Sequence, residues 1–256
     1  MEWVAVERKE QVALVEIRNG ERQNALSRQV VAGLQRAFQE LAVDQEVRAV
    51  ILHGGDSRSF CAGADLKERQ GLSEAEVLAT VHQLRETVNL VARLPVPTIA
   101  AVHGAALGGG CELALACDLR VLSEDAVMGL TELSWGIIPG AGGTVRLPAL
   151  VGQARARELI FTARRISARE ALEMGLANRV VPREELLSTA WELAQQIAAQ
   201  APLAVRAAKR ALLAGLNEPA GLAAEWQEYQ SIIPTQDRLE GLRAFAEKRR
   251  PVYQGR

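Results

Sequence analysis

Two long apolar stretches of this 256-residue chain each contain one charged residue. Glu112 is the charged residue of positions 94–117, and Glu132 is that of positions 126–145. Burying a carboxylate costs free energy, and its usual response is a raised pKa. Two carboxyls in similar dry surroundings can supply a general acid and a general base near neutral pH. The alternative is that each only accepts hydrogen bonds from nearby backbone, and their separation along the chain leaves convergence to the fold.

Two segments rich in small residues could supply the electrostatic partner of such chemistry. GAALGGG at 104–110 lies between a predicted strand and a helix start, where free backbone N–H groups and the helix dipole favour negative charge. CAGAD at 61–65 is a second small-residue turn. One N–H group from each segment, aimed at the same carbonyl oxygen, would form an oxyanion hole. The alternative is that the glycines serve only turns and close packing.

Nucleotide-binding interpretations of the glycines fit less well. A short-chain dehydrogenase would have its glycine turn after the first strand and a Tyr-x-x-x-Lys pair downstream. Here the turn is mid-chain, Ile233 stands four residues after Tyr229, and the chain ends before any such partner of Tyr253. A Walker-type loop would end in Gly-Lys-Ser or Gly-Lys-Thr, which GAALGGG does not. Both interpretations are therefore disfavoured.

Composition narrows the classes of function. Thirty basic and 31 acidic residues give a net charge of −1, so the chain has no excess positive charge that would attract nucleic acid or an anionic membrane. The first residues, MEWVAVERKE, lack a signal-peptide pattern, and no apolar run approaches the ~18 residues of a membrane span. We therefore expect a cytoplasmic protein. The scattered histidines predict no metal site, and the three cysteines predict reduced, buried thiols.

The elements that must position the glutamates follow an α/β pattern. WVAVE and VALVEI predict two strands joined by a charged turn, and Ser27 can cap a helix over 28–42. VRAVILHG predicts a strand, 54–71 predict a long loop, and Ser73 begins a predicted helix that ends before PVP at 95–97. TIAAVHG, LRVLS and AVMGL are strand-like, and CELALAC is helical.

The pattern changes after about residue 152. From there the chain is mostly helical, with little strand signal beyond NRVVP at 178–182. Pro202 is a candidate boundary. We predict that residues 1–200 form a core with the active site and that residues 201–256 form a helical C-terminal region.

Four segments taken together resemble the enoyl-CoA hydratase/isomerase (crotonase) superfamily. They are SFCAGADLKE, PTIAAVHGAALGGGCELALACDLRV, MGLTELSWGIIPGAGGTVRL and GLRAFAEKRRP. The resemblance implies a spiral of ββα turns with a helical C-terminal trimerisation region. It also implies a homo-oligomer, either a trimer or a hexamer built from two trimers.

The same resemblance assigns roles to residues. The family's oxyanion hole falls on the backbone N–H groups of Ala64 and Gly109, which would hold the thioester carbonyl of an acyl-CoA substrate. Its paired hydratase glutamates fall on Glu112 and Glu132, which would hold one water between them. This pairing indicates an enoyl-CoA hydratase, a hydro-lyase that adds water across the 2,3 double bond of a 2-enoyl-CoA. No cofactor is expected, because coenzyme A is part of the substrate.

Substrate contacts are also implied by the resemblance. Coenzyme A should lie along the ERQNAL turn and the AGADLK loop, near two positions close to the C-terminus. The acyl pocket should draw on the segment after Gly129 and on the helix after Ser73. The predicted contacts are Arg22, Ala25, Leu26, Ala62, Asp65, Leu66, Lys67, Leu130, Trp135, Ile138, Pro139, Phe245 and Lys248.

Three alternatives stay open. LPVPTIAAVHG, GGCELALACDLRV and IPTQDRLEGLRAFAEKRRP are especially similar to methylglutaconyl-CoA hydratases. An acid-bearing acyl group would need a cation, for which Lys67, Arg69 and Arg85 are candidates. A Δ3-Δ2 enoyl-CoA isomerase would need one glutamate. RNA binding, known in that branch, is disfavoured because the first long helix carries only Arg28 and Arg36 beside acidic residues.

Overall fold

A six-stranded sheet lies at the centre of the computed structural model, which describes residues 2–214, 226–227, 229–231, 233–247 and 249–256. The strands are β1 (Val4–Lys9), β2 (Val12–Ile17), β3 (Ala49–His53), β4 (Thr98–Val102), β5 (Ala105–Leu107), β6 (Leu119–Ser123), β7 (Val127–Gly129), β8 (Ile166–Ser167) and β9 (Arg179–Val181). The strand order in the central sheet is β1-β2-β3-β4-β6-β9; β1 is antiparallel to β2, and the other neighbours are parallel. A smaller sheet has the order β5-β7-β8.

Helices connect and cover these strands. Two of the predicted helix starts are capped as their sequences suggest: the Ser27 hydroxyl accepts from the Val30 amide, and Ser73 forms a capping box with Glu76. The described α-helices are α1 (Arg28–Val43), α2 (Leu66–Arg69), α3 (Glu74–Ala92), α4 (Gly109–Ala116), α5 (Gly143–Val151), α6 (Gln153–Thr162), α7 (Ala168–Glu173), α8 (Leu186–Ala198), α9 (Pro202–Ala214) and α10 (Gln236–Ala246). Within the described ranges, no helix combines the length and the apolar character needed to cross a bilayer.

The central sheet is buried on both faces. Ile51, Ile99 and Val121 point to one face, where they pack with the apolar side of α8. Their neighbours along the same strands, including Leu52 and Val102, point to the opposite face and join a core with α1, α3 and α4. Parallel strands covered on both faces require continuous apolar runs, which explains the pattern of VRAVILHG and TIAAVHG.

Two elements differ from the sequence-based prediction. β5 lies in the glycine-rich segment expected to lead directly into a helix; it pairs with β7, and the Cys61 amide donates to the Ala105 carbonyl while the Leu107 amide donates to the Cys61 carbonyl. α5 is not signalled by the sequence, because it starts at a pair of glycines and contains Pro148. Both elements depend on contacts with distant segments rather than on local propensity.

An ion pair between the buried Lys209 and the half-buried Asp118 links α9 to the sheet. The Lys209 ammonium lies 2.6 Å from Asp118 Oδ2 and donates to the Val96 carbonyl at 2.9 Å. Asp118 also accepts from the Thr98 amide. α9 begins at Pro202, the candidate boundary, but its lysine is anchored in the preceding core. The division into residues 1–200 and 201–256 stays a prediction.

Candidate active site

Glu112 lies in the first turn of α4, directly after β5, and is buried. Its Oε1 accepts hydrogen bonds from the Ala141 amide at 2.7 Å and the Gly143 amide at 2.9 Å. Two donors on one oxygen fix the direction of the carboxyl group. Glu112 therefore does accept hydrogen bonds from the backbone. Whether it also has a chemical role depends on what lies next to its carboxyl group.

Glu132 reaches the same place from the neighbouring strand. It is buried and begins a 3₁₀-helix (Glu132–Trp135) three residues after β7. β5 and β7 run parallel with Leu107 opposite Gly129, so the chain segments that follow them emerge side by side. A Cβ on Gly108 would stand 3.3 Å from Glu132 Oε1, at a backbone φ of +51°. Glycine therefore lets the start of α4 pass close to this carboxyl.

Both glutamates line one cavity of about 550 Å³, together with Ala64 and Gly109. The cavity lies between α3, the 61–66 loop, the start of α4 and the segment 131–141. The two carboxyls thus come from distant positions in the sequence and face a shared space. This convergence is the geometric condition for the paired acid and base that the sequence left open.

Main-chain amides meet at the same cavity. Gly109 is the first residue of α4, and an amide there has no acceptor within the helix. The Ala64 amide lies 3.8 Å from the position of a Cβ on Gly109. The bridge between Leu26 and Ala64 uses the Gly63 carbonyl and the Asp65 amide, so the Ala64 N–H points away from it. The two amides therefore lie close together at the cavity, and their role as an oxyanion hole stays a prediction.

The remaining cavity wall is apolar. The segment 131–141 contributes three large apolar residues, and α3 contributes four; these are Trp135, Ile137 and Ile138, and Val77, Leu78, Val81 and Leu84. Leu78, Trp135 and Ile138 are 70%, 64% and 71% exposed, so an apolar rim opens to solvent.

Two of the predicted acyl contacts lie behind the wall. Leu130 and Pro139 are buried, are not among the lining residues and lie next to Gly143. Ile137 and Ala141 line the cavity instead, although the sequence-based prediction did not include them. The alternation of buried and lining residues in this irregular segment follows no helix or strand period, so the sequence offered no signal.

A second cavity of about 370 Å³ adjoins the first and shares three lining residues with it. Leu26 is buried beneath the junction, next to Gly109. Of the C-terminal contacts, Lys248 and the side chain of Phe245 lie outside the described residues. Six predicted coenzyme A contacts line the second cavity: Arg22, Ala25, Ala62, Asp65, Leu66 and Lys67.

Asp65 lines this second cavity and binds groups on both of its sequence segments. Its Oδ1 caps α2 by accepting from the amides of Lys67 and Glu68, and its Oδ2 lies 2.7 Å from the Arg22 guanidinium. Burial acts to raise the pKa of Asp65, but the Arg22 hydrogen bond and the two amides outweigh it and hold the pKa below its usual value. The ERQNAL turn and the AGADLK loop are thereby joined.

We expect Asp65→Ala to lower the free energy of unfolding by about 1 kcal/mol at neutral pH, the usual effect of removing a helix cap. A depressed native pKa stabilises the fold above the unfolded-state pKa of about 3.9, and this contribution disappears as pH falls through the native pKa. Urea unfolding of both proteins between neutral and strongly acidic pH measures the difference. Asp65→Asn, which keeps a capping oxygen without the charge, should lose less; equal stability of all three proteins at neutral pH would contradict this account.

The three cysteines are buried and reduced, as expected. Burial raises the pKa of Cys61 and of Cys117 to about 12. Burial also raises the pKa of Cys111, and the neighbouring charges of Glu132 and Glu112 add to that effect. None of these thiols is suited to act as a nucleophile.

The sequence profile of the enoyl-CoA hydratase/isomerase family matches residues 7–256. The chain belongs to this family. Its relatives include a putative enoyl-CoA hydratase/isomerase, YngF, of Bacillus subtilis, which is 50% identical over 248 residues that cover 96% of this chain and 95% of that protein. Human mitochondrial methylglutaconyl-CoA hydratase is 47% identical over 238 residues, which cover 91% of this chain and 70% of that protein.

Solved structures of the family agree with the fold. An enoyl-CoA hydratase from Bacillus anthracis superposes with a TM-score of 0.97 at 47% identity, covering 99% of this chain and 100% of that one. A second structure, from Geobacillus kaustophilus, gives a TM-score of 0.92 at 38% identity and covers 99% and 98% of the two chains. The expected crotonase fold is thereby confirmed. The roles of individual site residues stay predictions.

Proposed function

We propose that the protein is an enoyl-CoA hydratase, a hydro-lyase that reversibly adds water in the syn sense across the 2,3 double bond of a 2-enoyl-CoA thioester. The observation that carries the proposal is the convergence of Glu112 and Glu132 on one cavity that also contains the amides of Ala64 and Gly109. The direct test is the loss of the ultraviolet absorbance of crotonyl-CoA, whose conjugated thioester disappears on hydration. Purified enzyme without this activity would refute the proposal.

In the proposed mechanism the two carboxyls hold one water between them. One glutamate accepts a proton as the water oxygen bonds to the β-carbon. The π electrons of the double bond then move toward the thioester, and the Ala64 and Gly109 amides stabilise the enolate oxygen. The glutamate pair delivers one proton to the α-carbon, so that one water is consumed and the enzyme is regenerated. The mechanism uses no metal or redox cofactor, since coenzyme A is part of the substrate.

The second carboxyl favours hydration over Δ3-Δ2 isomerisation. An isomerase needs one carboxyl to move a proton between carbons, whereas addition of water also needs a group to activate the nucleophile. Glu132 faces the same cavity as Glu112 and can take that part. The family includes isomerases as well as hydratases, and Glu132→Gln is the variant that separates the two reactions.

The cavity wall favours an apolar acyl group. Among the described side chains that line it, the charged ones are the two glutamates, and Thr131 adds a hydroxyl. Lys67 lines the other cavity, and Arg85 is exposed on α3 outside the lining. The side chain of Arg69, the third candidate cation, lies outside the described residues. An acid-bearing acyl group would therefore place a carboxylate among apolar side chains and near two other carboxyls.

We expect the enzyme to prefer crotonyl-CoA and longer unbranched 2-enoyl-CoA substrates over 3-methylglutaconyl-CoA by at least about 100-fold in kcat/KM, because an uncompensated buried charge costs several kcal/mol. Parallel steady-state assays with all substrates measure this ratio. Ile138→Lys, which adds a cation at the apolar rim, should narrow the preference. A faster reaction with 3-methylglutaconyl-CoA in the unmodified enzyme would instead assign it to the methylglutaconyl-CoA hydratases.

Assembly and location complete the proposal. We propose a trimer or a dimer of trimers, as is common in the family, and static light scattering of the purified protein tests this. We further propose a cytoplasmic enzyme that acts in fatty acid β-oxidation. The Bacillus subtilis relative supports a bacterial setting, whereas the relatives in human and Arabidopsis thaliana are named as mitochondrial. We do not propose nucleic acid as a partner.

A further inference from the structure

The loop that holds Glu112 is itself held by an arginine. Arg146 lies in the first turns of α5, and its Nη1 donates to the Ala141 carbonyl at 2.8 Å. Its Nη2 donates to Asn89 Oδ1 at 2.7 Å, which ties the guanidinium to α3. Ala141 thus makes two backbone hydrogen bonds: its N–H donates to Glu112, and its C=O accepts from Arg146.

The backbone is shaped to admit this side chain. Gly142 has a φ of +104°, and a Cβ at this position would stand 2.1 Å from Arg146 Nη1. The guanidinium therefore packs directly over the glycine that separates the two amides bound to Glu112. The position of the arginine and the positions of both amides are linked by one short stretch of chain.

We propose that Arg146 is a positioning residue for the reaction: it clamps the segment 141–143 so that the Ala141 and Gly143 amides hold Glu112 at the angle needed to share a water with Glu132. This inference rests on the proposed function. Arg146 itself is not a lining residue of the cavity, so it reaches the substrate indirectly, through Glu112 and through Ala141, which does line the cavity. A misplacement of about 1 Å at a reacting group can cost roughly 100-fold in rate.

The local charges are consistent with this clamp. Burial lowers the pKa of Arg146, and the negative charge of Glu112 opposes that shift, while Arg93 and Arg85 add to it. Burial and two neighbouring cations disfavour the charge of Arg146. The hydrogen bonds to Ala141 and Asn89 and the negative charge of Glu112 offset this free-energy cost. A rigid 141–143 segment is a physical reason for placing a charged guanidinium at this unfavourable position.

The test begins with Arg146→Ala and with Asn89→Ala, which removes only the second anchor. Arg157→Ala is the matched control, because Arg157 is an exposed arginine on α6. With crotonyl-CoA we expect kcat to fall by roughly 10- to 100-fold in Arg146→Ala, by less in Asn89→Ala, and not in the control. KM should change by less than about 3-fold in all three, since the thioester contacts remain. Adding guanidinium at about 50 mM, far below the molar range that unfolds proteins, should restore part of kcat in Arg146→Ala, and potassium chloride should not.

A second measurement, which does not depend on activity, reports the rigidity of the loop directly. Hydrogen–deuterium exchange of the peptide that spans 139–147 should accelerate in Arg146→Ala and recover with guanidinium, while peptides of β3 and β4 stay protected. Unchanged exchange in this peptide, or an unchanged kcat accompanied only by a lower melting temperature, would overturn the clamp. If the unmodified enzyme hydrates no 2-enoyl-CoA, the proposed function fails, but the exchange measurement still shows whether Arg146 holds the loop. If Arg146→Ala does not fold, the kcat and the exchange of Asn89→Ala provide both tests.

Discussion

Glu132→Gln should lower kcat for hydration of crotonyl-CoA by roughly 10²- to 10⁴-fold, the range that a positioned general acid or base contributes. Glutamine has the shape of the glutamate but neither accepts nor delivers the proton that the proposed reaction moves. Its effect should appear in kcat, with KM within a few-fold of the unmodified enzyme, because the acyl-CoA contacts along both cavities are unchanged. Stopped-flow or steady-state measurement of crotonyl-CoA absorbance provides both parameters.

The same variant separates hydration from isomerisation. An isomerase that relies on Glu112 would keep much of its rate with a 3-enoyl-CoA substrate after Glu132→Gln, whereas Glu112→Gln would abolish both reactions. Because the carboxyls act as a unit, the double variant should be about as slow as the slower single variant. Glu124→Gln serves as the control, since Glu124 is exposed after β6. Full hydration activity in Glu132→Gln would remove Glu132 from the mechanism.

The second large effect concerns a main-chain group. Gly109→Pro removes one amide hydrogen from the proposed oxyanion hole, and we expect kcat/KM to fall by about 10²- to 10³-fold, as when one such donor is lost. Proline is compatible with this position because Gly109 is the first residue of α4. The preceding Gly108, at φ 51° and ψ −123°, is the mirror image of the extended conformation favoured before proline, which glycine can adopt.

Gly109→Ala is the matched control for this variant. A Cβ at position 109 would lie 3.2 Å from Leu26 Cδ1 and 3.3 Å from Leu84 Cδ2, so both variants crowd the same two side chains. Alanine keeps the amide hydrogen, so the ratio of the two variants removes the effect of the Cβ and measures the loss of the donor together with the proline ring atoms that replace its hydrogen. Circular dichroism and melting temperature establish that both are folded. Equal activity of the two variants would show that the Gly109 amide does not stabilise the transition state.

Much of the architecture can be read from local pattern. Apolar runs bounded by glycine and proline predicted β3 and β4, and serine caps followed by periodic apolar residues predicted α1 and α3, because these signals act within a few residues of the chain. β5 and α5 could not be read in this way. β5 pairs with β7 and bonds to the backbone of Cys61, and the Gly143 amide at the start of α5 donates to Glu112; each of these partners is more than twenty residues away.

The site shows the same division. Composition singled out Glu112 and Glu132, because a charged residue in an apolar stretch needs a reason to be there. Nothing in their spacing indicated that they share a cavity, and the family resemblance was needed to pair them. Their meeting results from the parallel pairing of β5 with β7, which aligns the ends of two strands more than twenty residues apart. The support of Glu112 by Ala141, Gly143 and Arg146 was equally hidden, since hydrogen bonds across a fold depend on backbone positions that no local pattern encodes.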